Sequence, residues 1–333
     1  MVRVEGVEEF LALPGATFDV RSPSEYQHAP LPGALSLPLF SDEERAQVGT
    51  CYKQVCRDAA VELGLRLAGP RFADMVQFAR ANSQGQPVKI YCWRGGMRSG
   101  AVAWLLETAG MPAITLKGGY KAYRNRCLQT IDNIDNNTPI LLLAGMTGAG
   151  KTEYLQQLIR QGEQVLDLEA IANHRGSSFG MIDMPPQPSN EHFENEIGRI
   201  WSGFDLARPI WIEDESRQIG RLRIPKKLFT AMMQAPIHLL EKTLDERVER
   251  LLTIYGKAES DDLIAATMRL KRHLGSERTL EAVQALREGR LTDCIKHVLT
   301  YYDAAYNHGL TKRGCFVTKS KEKEGWFNTS PCD

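Results

Sequence analysis

Short apolar runs alternate with helical patterns along the first third of the chain. Residues 17–20, 88–91 and 113–116 are mostly apolar or β-branched, and the first and third of these runs end at polar or glycine residues, which predicts strands. Residues 101–108 repeat apolar positions with a helical period, and Gly110 provides a stop signal. Strand and helix in alternation favour a parallel α/β sheet.

A second pattern begins at the apolar run 140–144, directly after a stretch rich in Asn and Asp. These residues favour turns because their side chains bond nearby amides. We therefore predict a linker over 129–138, between a first domain at 1–128 and a second at 139–333. The second domain opens with strand, glycine loop and helix, and its later part is predicted to be largely helical.

Composition places the chain among ordinary globular proteins. Its 333 residues suit two domains, and 43% hydrophobic residues suffice for two cores. Lys and Arg equal Asp and Glu at 41 each, so overall charge indicates no partner, and nucleic-acid binding requires a local basic patch. The charged first residues and the short apolar runs predict neither an export signal nor a membrane span.

The cysteines favour a reducing compartment. There are seven, an odd number with no Cys-x-x-Cys pair, so we expect free thiols in a cytoplasmic protein.

One cysteine stands in a distinctive segment, Cys-Trp-Arg-Gly-Gly-Met-Arg-Ser over residues 92–99, after a predicted strand and before a helix. Loop amides and a helix N-terminus favour negative charge, so they lower a thiol pKa and bind an anion. We predict Cys92 as a thiolate nucleophile, with Arg94 and Arg98 as anion clamps. A buried structural cysteine is the alternative. The remaining cysteines lack this setting and are predicted to be packing or surface thiols: Cys51, Cys56, Cys127, Cys294, Cys315 and Cys332.

The segment Gly-Met-Thr-Gly-Ala-Gly-Lys-Thr over residues 145–152 satisfies the phosphate-loop pattern and lies between a predicted strand and a helix. Its glycines, Gly145, Gly148 and Gly150, leave amides open to phosphate oxygens. Lys151 neutralises the phosphates, and the Thr152 hydroxyl can ligate Mg²⁺. The motif leaves open whether a nucleotide or a prenyl diphosphate carries the phosphates.

A metal-facing carboxylate is expected at the end of a later strand. Asp214 or Glu213, after the apolar run 209–212, is the preferred candidate, and the run ending at Glu169 is the runner-up. The polar loop 173–180 is expected at the same sheet edge. There, His174 and Arg175 contact phosphate or base, or else the loop is only a surface turn.

Basic side chains cluster where RNA could bind. One group falls within eleven residues that contain no acid: Arg217, Arg221, Arg223, Lys226 and Lys227. We predict a loop whose charges suit a phosphate backbone, with a solvated protein face as the alternative. Two smaller groups surround Arg269 and Lys117.

The first domain resembles the rhodanese family over about residues 5–126. The resemblance is carried by the loop at Cys92, by Asp19-Val20-Arg21 with Glu25, by Pro32-Gly33-Ala34, and by Gly118-Gly119. Five residues separate Cys92 from Arg98, a longer loop than single-domain rhodaneses commonly have and similar to the Cys-x5-Arg phosphatase signature. This departure favours a larger anion, such as selenophosphate.

The whole chain resembles the tRNA 2-selenouridine synthase family. Segments beyond the two general motifs support this: residues 38–45, 48–50, 172–177 and 213–217. The resemblance implies a rhodanese-like parallel-sheet domain joined to a P-loop NTPase-like α/β domain with a helical extension.

The resemblance also implies the substrates. The family acts on tRNA with 2-thiouridine at the wobble position, geranylating its sulfur from geranyl diphosphate and replacing it with selenium from selenophosphate. It implies that Cys92 either attacks a Se-phosphoryl intermediate or carries selenium, with Mg²⁺ at the phosphate loop. The selenophosphate-producing enzyme is an expected partner. The alternatives are an ATP-dependent sulfurtransferase or kinase acting on RNA or a small molecule, and a non-catalytic binding protein.

Overall fold

The computed structural model describes residues 2–312 and 317–320. The chain divides into two compact units, Met1–Thr130 and Ile131–Asp333. Cys315 and Cys332 lie outside the described residues.

The first unit is built on a five-stranded parallel sheet in the order β1-β5-β4-β2-β3. Its strands are β1 (Arg3–Glu5), β2 (Thr17–Asp19), β3 (Leu35–Ser36), β4 (Val88–Tyr91) and β5 (Ala113–Leu116). Its helices are α1 (Val7–Ala12), α2 (Pro23–His28), α3 (Asp42–Gln54), α4 (Arg57–Ala68), α5 (Phe72–Ser83), α6 (Met97–Thr108) and α7 (Gly119–Asp132).

The centre of this sheet is fully enclosed. Every residue of β4 and β5 is buried, as expected for parallel strands covered by helices on both faces. The predicted bounds of these two strands are confirmed. Helix α7 continues to Asp132, so the first four residues of the predicted linker are helical.

The second unit contains another parallel sheet, in the order β12-β11-β6-β8-β7. Its strands are β6 (Ile140–Ala144), β7 (Gln164–Leu166), β8 (Ile210–Glu213), β11 (Ile237–Leu240) and β12 (Val317–Ser320), and a separate antiparallel hairpin joins β9 (Gln218–Ile219) to β10 (Leu222–Arg223). The helices are α8 (Lys151–Arg160), α9 (Leu168–Ala172), α10 (Asn190–Trp201), α11 (Lys226–Met232), α12 (Leu244–Tyr255), α13 (Ser260–Arg269), α14 (Lys271–Leu274), α15 (Ser276–Arg287) and α16 (Leu291–Lys312).

Both predicted fold classes are confirmed: a parallel α/β unit is followed by a P-loop α/β unit with a helical extension. Helices α12 to α16 form that extension and bury their own apolar core. The sequence did not indicate β12, which returns the chain to the sheet edge beside β11 after the helices. Within the described part of the chain, no helix is long and apolar enough to cross a membrane.

Candidate functional site

The predicted nucleophile lies at the C-terminal edge of the first sheet. Cys92 follows the buried strand β4 and is itself only 3% exposed. Its Sγ accepts a hydrogen bond from the Gly96 amide at 3.4 Å and lies 3.3 Å from the Ser99 Oγ. Gly96 is the N-cap residue directly before α6, so the thiol lies at the N-terminus of a helix.

These contacts determine the acidity of the thiol. Burial alone would raise the pKa of Cys92. Hydrogen bonds from the Ser99 hydroxyl and from the amides of Ser99, Gly96 and Arg94 outweigh burial, so the pKa is lowered from its ordinary value. A lowered pKa means a larger thiolate fraction, which is what nucleophilic attack requires.

Glycines allow the loop to lie against the following turn. Gly95 has a φ of 64°, and a Cβ there would overlap the carbonyl oxygen of Leu116. Gly119 has a φ of 59°, and a Cβ there would overlap the carbonyl oxygen of Cys92. The Tyr120 amide donates to the same Cys92 carbonyl at 2.8 Å. The first residues of α7 therefore pack against the cysteine loop and fix its conformation.

The two predicted anion clamps differ in their surroundings. Arg94 is exposed, whereas the Arg98 Nη1 donates to the Glu25 Oε2 at 2.8 Å. Burial would raise the pKa of Glu25, but the hydrogen bond and charge of Arg98 lower it. Arg98 is thus partly neutralised, and an incoming anion competes with Glu25 for its guanidinium. This pairing was not predicted from the sequence.

Removing the Ser99 hydroxyl tests how the thiolate is stabilised. Ser99→Ala deletes the strongest hydrogen bond to the Cys92 Sγ, so we expect the pKa of Cys92 to rise. The alkylation rate of Cys92 by iodoacetamide, followed by mass spectrometry of its peptide across pH, should shift its midpoint upward. Ser83→Ala, in α5, is the matched control and should leave the profile unchanged. An unshifted midpoint in Ser99→Ala would contradict the assignment.

The acidic and basic pair of Asp19 and Arg21 has a structural role. Arg21 is 1% exposed, and its Nη2 lies 2.7 Å from the Asp19 Oδ2. The Tyr91 hydroxyl donates to the same oxygen at 2.6 Å, and the guanidinium lies 4.1 Å from the Tyr120 ring centroid. This buried network joins β2, β4 and α7 directly below the cysteine loop. Its members are fully paired, so they position the loop rather than bind substrate.

The phosphate loop of the second unit connects β6 to α8. Gly148 and Gly150 have φ values of 84° and 92°, which only glycine adopts readily. A Cβ at Gly148 would lie 3.0 Å from the Arg247 carbonyl oxygen, so this part of the loop packs against α12. A Cβ at Gly145 would lie 3.1 Å from the Leu240 carbonyl oxygen, at the end of β11. Packing on both sides fixes the loop in its curled form.

Lys151 is the first residue of α8, and its Nζ lies 3.4 Å from the Gly145 carbonyl oxygen. Burial would lower the pKa of Lys151, but nearby carboxylates raise it, Glu215 and Glu169 most strongly. The lysine is therefore cationic at neutral pH and placed inside its own loop. Thr152 is exposed on the first turn of α8, where its hydroxyl is open to a ligand.

A group of carboxyl side chains, here called the acidic edge, lies beside Lys151; it consists of Glu169, Glu213, Asp214 and Glu215. Glu213 ends β8 at 1% exposure, with its Oε1 accepting from the Glu169 amide at 2.6 Å and its Oε2 buried without a hydrogen-bond partner. Burial raises the pKa of Glu213 well above its usual range. Burial and the charge of Glu215 raise the pKa of Glu169 to about 8.

The acidic edge is a candidate site for magnesium. In the described ranges, no three His, Cys, Asp or Glu side chains converge to hold a metal by themselves. Mg²⁺ beside phosphates usually takes only one or two carboxylates, with phosphate oxygens and water completing its shell. The unpartnered Glu213 oxygen and the exposed Thr152 hydroxyl fit that requirement. The sequence favoured Asp214 or Glu213, with the run ending at Glu169 as runner-up; the structure brings all three beside Lys151 and adds Glu215.

Comparison with known proteins identifies both domains. A rhodanese-like domain model matches residues 6–126, and a model described as the tRNA 2-selenouridine synthase AAA domain matches residues 138–329. Among curated relatives, the tRNA 2-selenouridine synthase of Marinobacter nauticus is 35% identical over 328 residues, covering 89% of this chain and 88% of its own. The tRNA 2-selenouridine synthase of Hahella chejuensis is 38% identical over 347 residues, covering 92% of this chain and 89% of its own. The chain belongs to the tRNA 2-selenouridine synthase family.

In this tRNA 2-selenouridine synthase family member, the predicted basic loop is instead a hairpin followed by a helix. Strands β9 and β10 form a hairpin whose Ile219 and Leu222 are buried in the core of the second unit. The five predicted side chains are all exposed on the hairpin and on the start of α11: Arg217, Arg221, Arg223, Lys226 and Lys227. Alternation along a strand places apolar side chains inward and basic ones outward.

The loop 173–180 is folded into the second unit. His174 is 6% exposed, and its Nδ1 is buried without a hydrogen-bond partner. The Arg175 Nη1 donates to the Ile182 carbonyl oxygen at 2.8 Å, so its guanidinium braces the loop. Gly176, with a φ of 67°, lies against the carboxylates of Glu169 and Glu215. The loop therefore lies beside the acidic edge, as the sequence predicted.

Several residues at these sites were not assigned a role from the sequence. Ser99 and Glu25 act on the cysteine loop, whereas Arg247 acts on the phosphate loop. The Arg247 Nη1 donates to the Thr147 carbonyl oxygen at 3.2 Å, and the guanidinium forms two 2.7 Å bonds to Asp303. A serine directly after the Cys-x5-Arg segment was the one signal available for Ser99.

Proposed function

We propose that this protein converts 2-thiouridine at the wobble position of tRNA to 2-selenouridine, through an S-geranyl intermediate and with selenophosphate as selenium donor. The supporting observation is that one chain carries two anion sites of different chemistry. One is a phosphate loop with a cationic lysine, and the other is an anion-binding loop with an acidified thiol.

The phosphate loop suits the first reaction. The thiouridine sulfur attacks C1 of geranyl diphosphate, so an S–C bond forms, the C–O bond breaks, and diphosphate leaves. Negative charge grows on the departing diphosphate, and Lys151 with the loop amides stabilises it. Mg²⁺, when held through Thr152 and the acidic edge, supplies further neutralisation of that charge.

The second reaction exchanges sulfur for selenium. Selenium of selenophosphate attacks C2 of the nucleoside, and geranyl thiol leaves, which is a better leaving group than thiocarbonyl sulfur. The nucleoside then carries a Se–P bond.

Cys92 completes the exchange in this proposal. Its thiolate attacks phosphorus, the Se–P bond breaks to release 2-selenouridine, and water hydrolyses the phosphocysteine. The amides of Arg94, Gly96 and Ser99 around the Sγ suit the oxyanion of a phosphoryl group, which favours this role over carriage of selenium by Cys92.

The test uses purified protein, a 2-thiouridine tRNA, geranyl diphosphate and Mg²⁺, with and without selenophosphate. Mass spectrometry of the digested nucleosides should show geranylthiouridine without selenophosphate and selenouridine with it. Unmodified tRNA together with tRNA-stimulated ATP hydrolysis would instead support an ATP-dependent sulfurtransferase or kinase. Unmodified tRNA with no turnover of ATP would indicate a binding protein.

The exposed basic side chains on the hairpin of β9 and β10 lead to a prediction for tRNA binding. Reversing Arg217 and Arg223 to Glu removes two exposed cations and adds two repulsive charges, so tRNA affinity should fall by about tenfold or more at low salt. Its salt dependence should also become shallower. Filter binding across salt concentrations measures both. Arg278→Glu with Arg287→Glu, on exposed positions of α15, makes the same charge change elsewhere and should have little effect. Equal losses in the two double variants would exclude the hairpin as a specific surface.

A further inference from the structure

A narrow apolar cavity of about 40 Å³ lies in the second unit and reaches the phosphate loop. Thr147 of the phosphate loop and Ser177 of the loop 173–180 lie at one end. Apolar side chains of α12, α13 and α16 line the remainder, among them Leu251, Leu263, Val298 and Leu299.

The cavity is continuous with the phosphate-binding backbone. A Cβ at Gly148 would lie 3.1 Å from the Leu251 Cγ, so a cavity-lining side chain packs directly under the loop glycine. The Thr147 carbonyl is held by Arg247, itself bound to Asp303 on α16. A ligand with its phosphates on the loop therefore has its nearest apolar surface in this cavity.

Hydrogen bonds between the loop 173–180 and the helices connect the residues around the mouth of the cavity. The Ser178 amide donates to the Tyr302 hydroxyl at 3.0 Å, and the Arg269 Nη2 donates to the Ser178 carbonyl oxygen at 2.8 Å. The Tyr255 hydroxyl is hydrogen-bonded to Ser177. The tyrosine hydroxyls are thus engaged by the rim, which leaves a hydrocarbon surface facing the cavity.

We propose that this cavity binds the distal isoprene unit of the prenyl diphosphate donor and so selects its chain length. The inference rests on the proposed function and identifies the part of the same site that distinguishes donors. A cavity of about 40 Å³ holds roughly three water-sized groups, which matches the branched three-carbon end of the distal isoprene unit and excludes a ten-carbon chain. The first isoprene unit remains at the mouth, where C1 is open to the thiouridine sulfur.

The same lining disfavours a nucleotide. A base or ribose placed there would lose its hydrogen bonds to water, because most of the lining is apolar and the Tyr255 and Tyr302 hydroxyls are already bonded to the rim, and this loss is costly. An isoprene unit has no such groups, and its burial is favourable. The cavity thus supports a prenyl diphosphate as the ligand whose phosphates occupy the loop.

Filling the cavity tests this. Val298→Phe places a larger side chain into it from α16. Calorimetry in Mg²⁺ should show that the wild type binds geranyl diphosphate about 100-fold more tightly than inorganic pyrophosphate, from burial of several methylene-sized groups. In Val298→Phe that ratio should fall at least tenfold while pyrophosphate affinity stays within about twofold. Transfer to tRNA should shift from geranyl toward the shorter dimethylallyl group.

Two further variants keep the result interpretable. Leu280→Phe, at a 65% exposed position on α15, controls for an added aromatic ring and should bind like the wild type. Leu299→Ala enlarges the cavity and should raise farnesyl transfer relative to geranyl, which tests the inference even where Val298→Phe fails to fold. Unchanged donor preference in folded variants, with geranyl transfer intact, would overturn the cavity assignment and leave the proposed function standing. A wild type that transfers no prenyl group from any donor would overturn both.

Discussion

Lys151→Ala is expected to lower geranyl transfer to 2-thiouridine tRNA by at least about 100-fold, which is the usual cost of removing one electrostatic group from a developing anion. The lysine lies inside the phosphate loop, and nearby carboxylates keep it cationic. Its loss removes the positive charge that faces the departing diphosphate and leaves the acidic edge to repel it. The measurement is the rate of formation of geranylthiouridine under single-turnover conditions.

The matched control is Lys257→Ala, which removes an exposed lysine of the same unit at the turn between α12 and α13. It should retain the wild-type rate. A thermal melt of both variants separates loss of chemistry from loss of fold. Should Lys151→Ala geranylate tRNA at the wild-type rate, the phosphate loop would not be the diphosphate site, and the cavity beside it would lose its proposed ligand as well.

The elements that could be predicted from the sequence are those that local signals define. Strands β4, β5 and β6 are short, mainly apolar runs because helices cover both faces of their sheets, and helix α8 follows a glycine loop of fixed spacing. The two loops at Cys92 and Lys151 were therefore located correctly at the carboxyl ends of strands. Both depend on glycines in left-handed conformations, which leave a visible mark in a sequence.

What escaped prediction depends on contacts between distant parts of the chain. Glu25 and Arg98 are 73 residues apart in sequence, and the Glu169 amide meets the Glu213 carboxylate across 44 residues. Strand β12 is formed only because β11 offers a free edge after the helical extension. Strands β9 and β10 are two residues long, which is too short for an alternating pattern to be visible, so the sequence predicts a loop there.

The acidic edge shows why the metal-facing residue could not be chosen from the sequence. Asp214 was favoured because it directly follows a strand. Burial, however, decides which carboxylate oxygens lack hydrogen-bond partners, and it leaves the Glu213 Oε2 without one. Burial also raises the pKa values of Glu169, Glu213 and Glu215, even with the Lys151 cation beside them. A divalent ion would reverse that shift, because it favours the charged carboxylates.

The two anion sites are assigned to separable reactions, since alkylation of sulfur needs no thiol and cleavage of a Se–P bond needs no phosphate loop. Among the described residues, the groups named at the cysteine loop belong to the first compact unit, and those named at the phosphate loop and its acidic edge belong to the second. Substitutions at one site should consequently leave the other chemistry measurable in the same protein.

Cys92→Ser is therefore expected to block selenouridine formation by at least about 10³-fold, because a serine hydroxyl in this loop is not ionised at neutral pH and cannot replace the thiolate. Geranylation should proceed at the wild-type rate, and the Se-phosphoryl nucleoside should accumulate when selenophosphate is supplied. Mass spectrometry of the digested tRNA separates the three products. Cys51→Ser, at a partly buried cysteine of the same unit, should behave as the wild type. Selenouridine at the wild-type rate from Cys92→Ser would remove the thiol from the mechanism. Loss of selenouridine without a phosphorylated intermediate would instead indicate that Cys92 acts earlier, as the carrier of selenium.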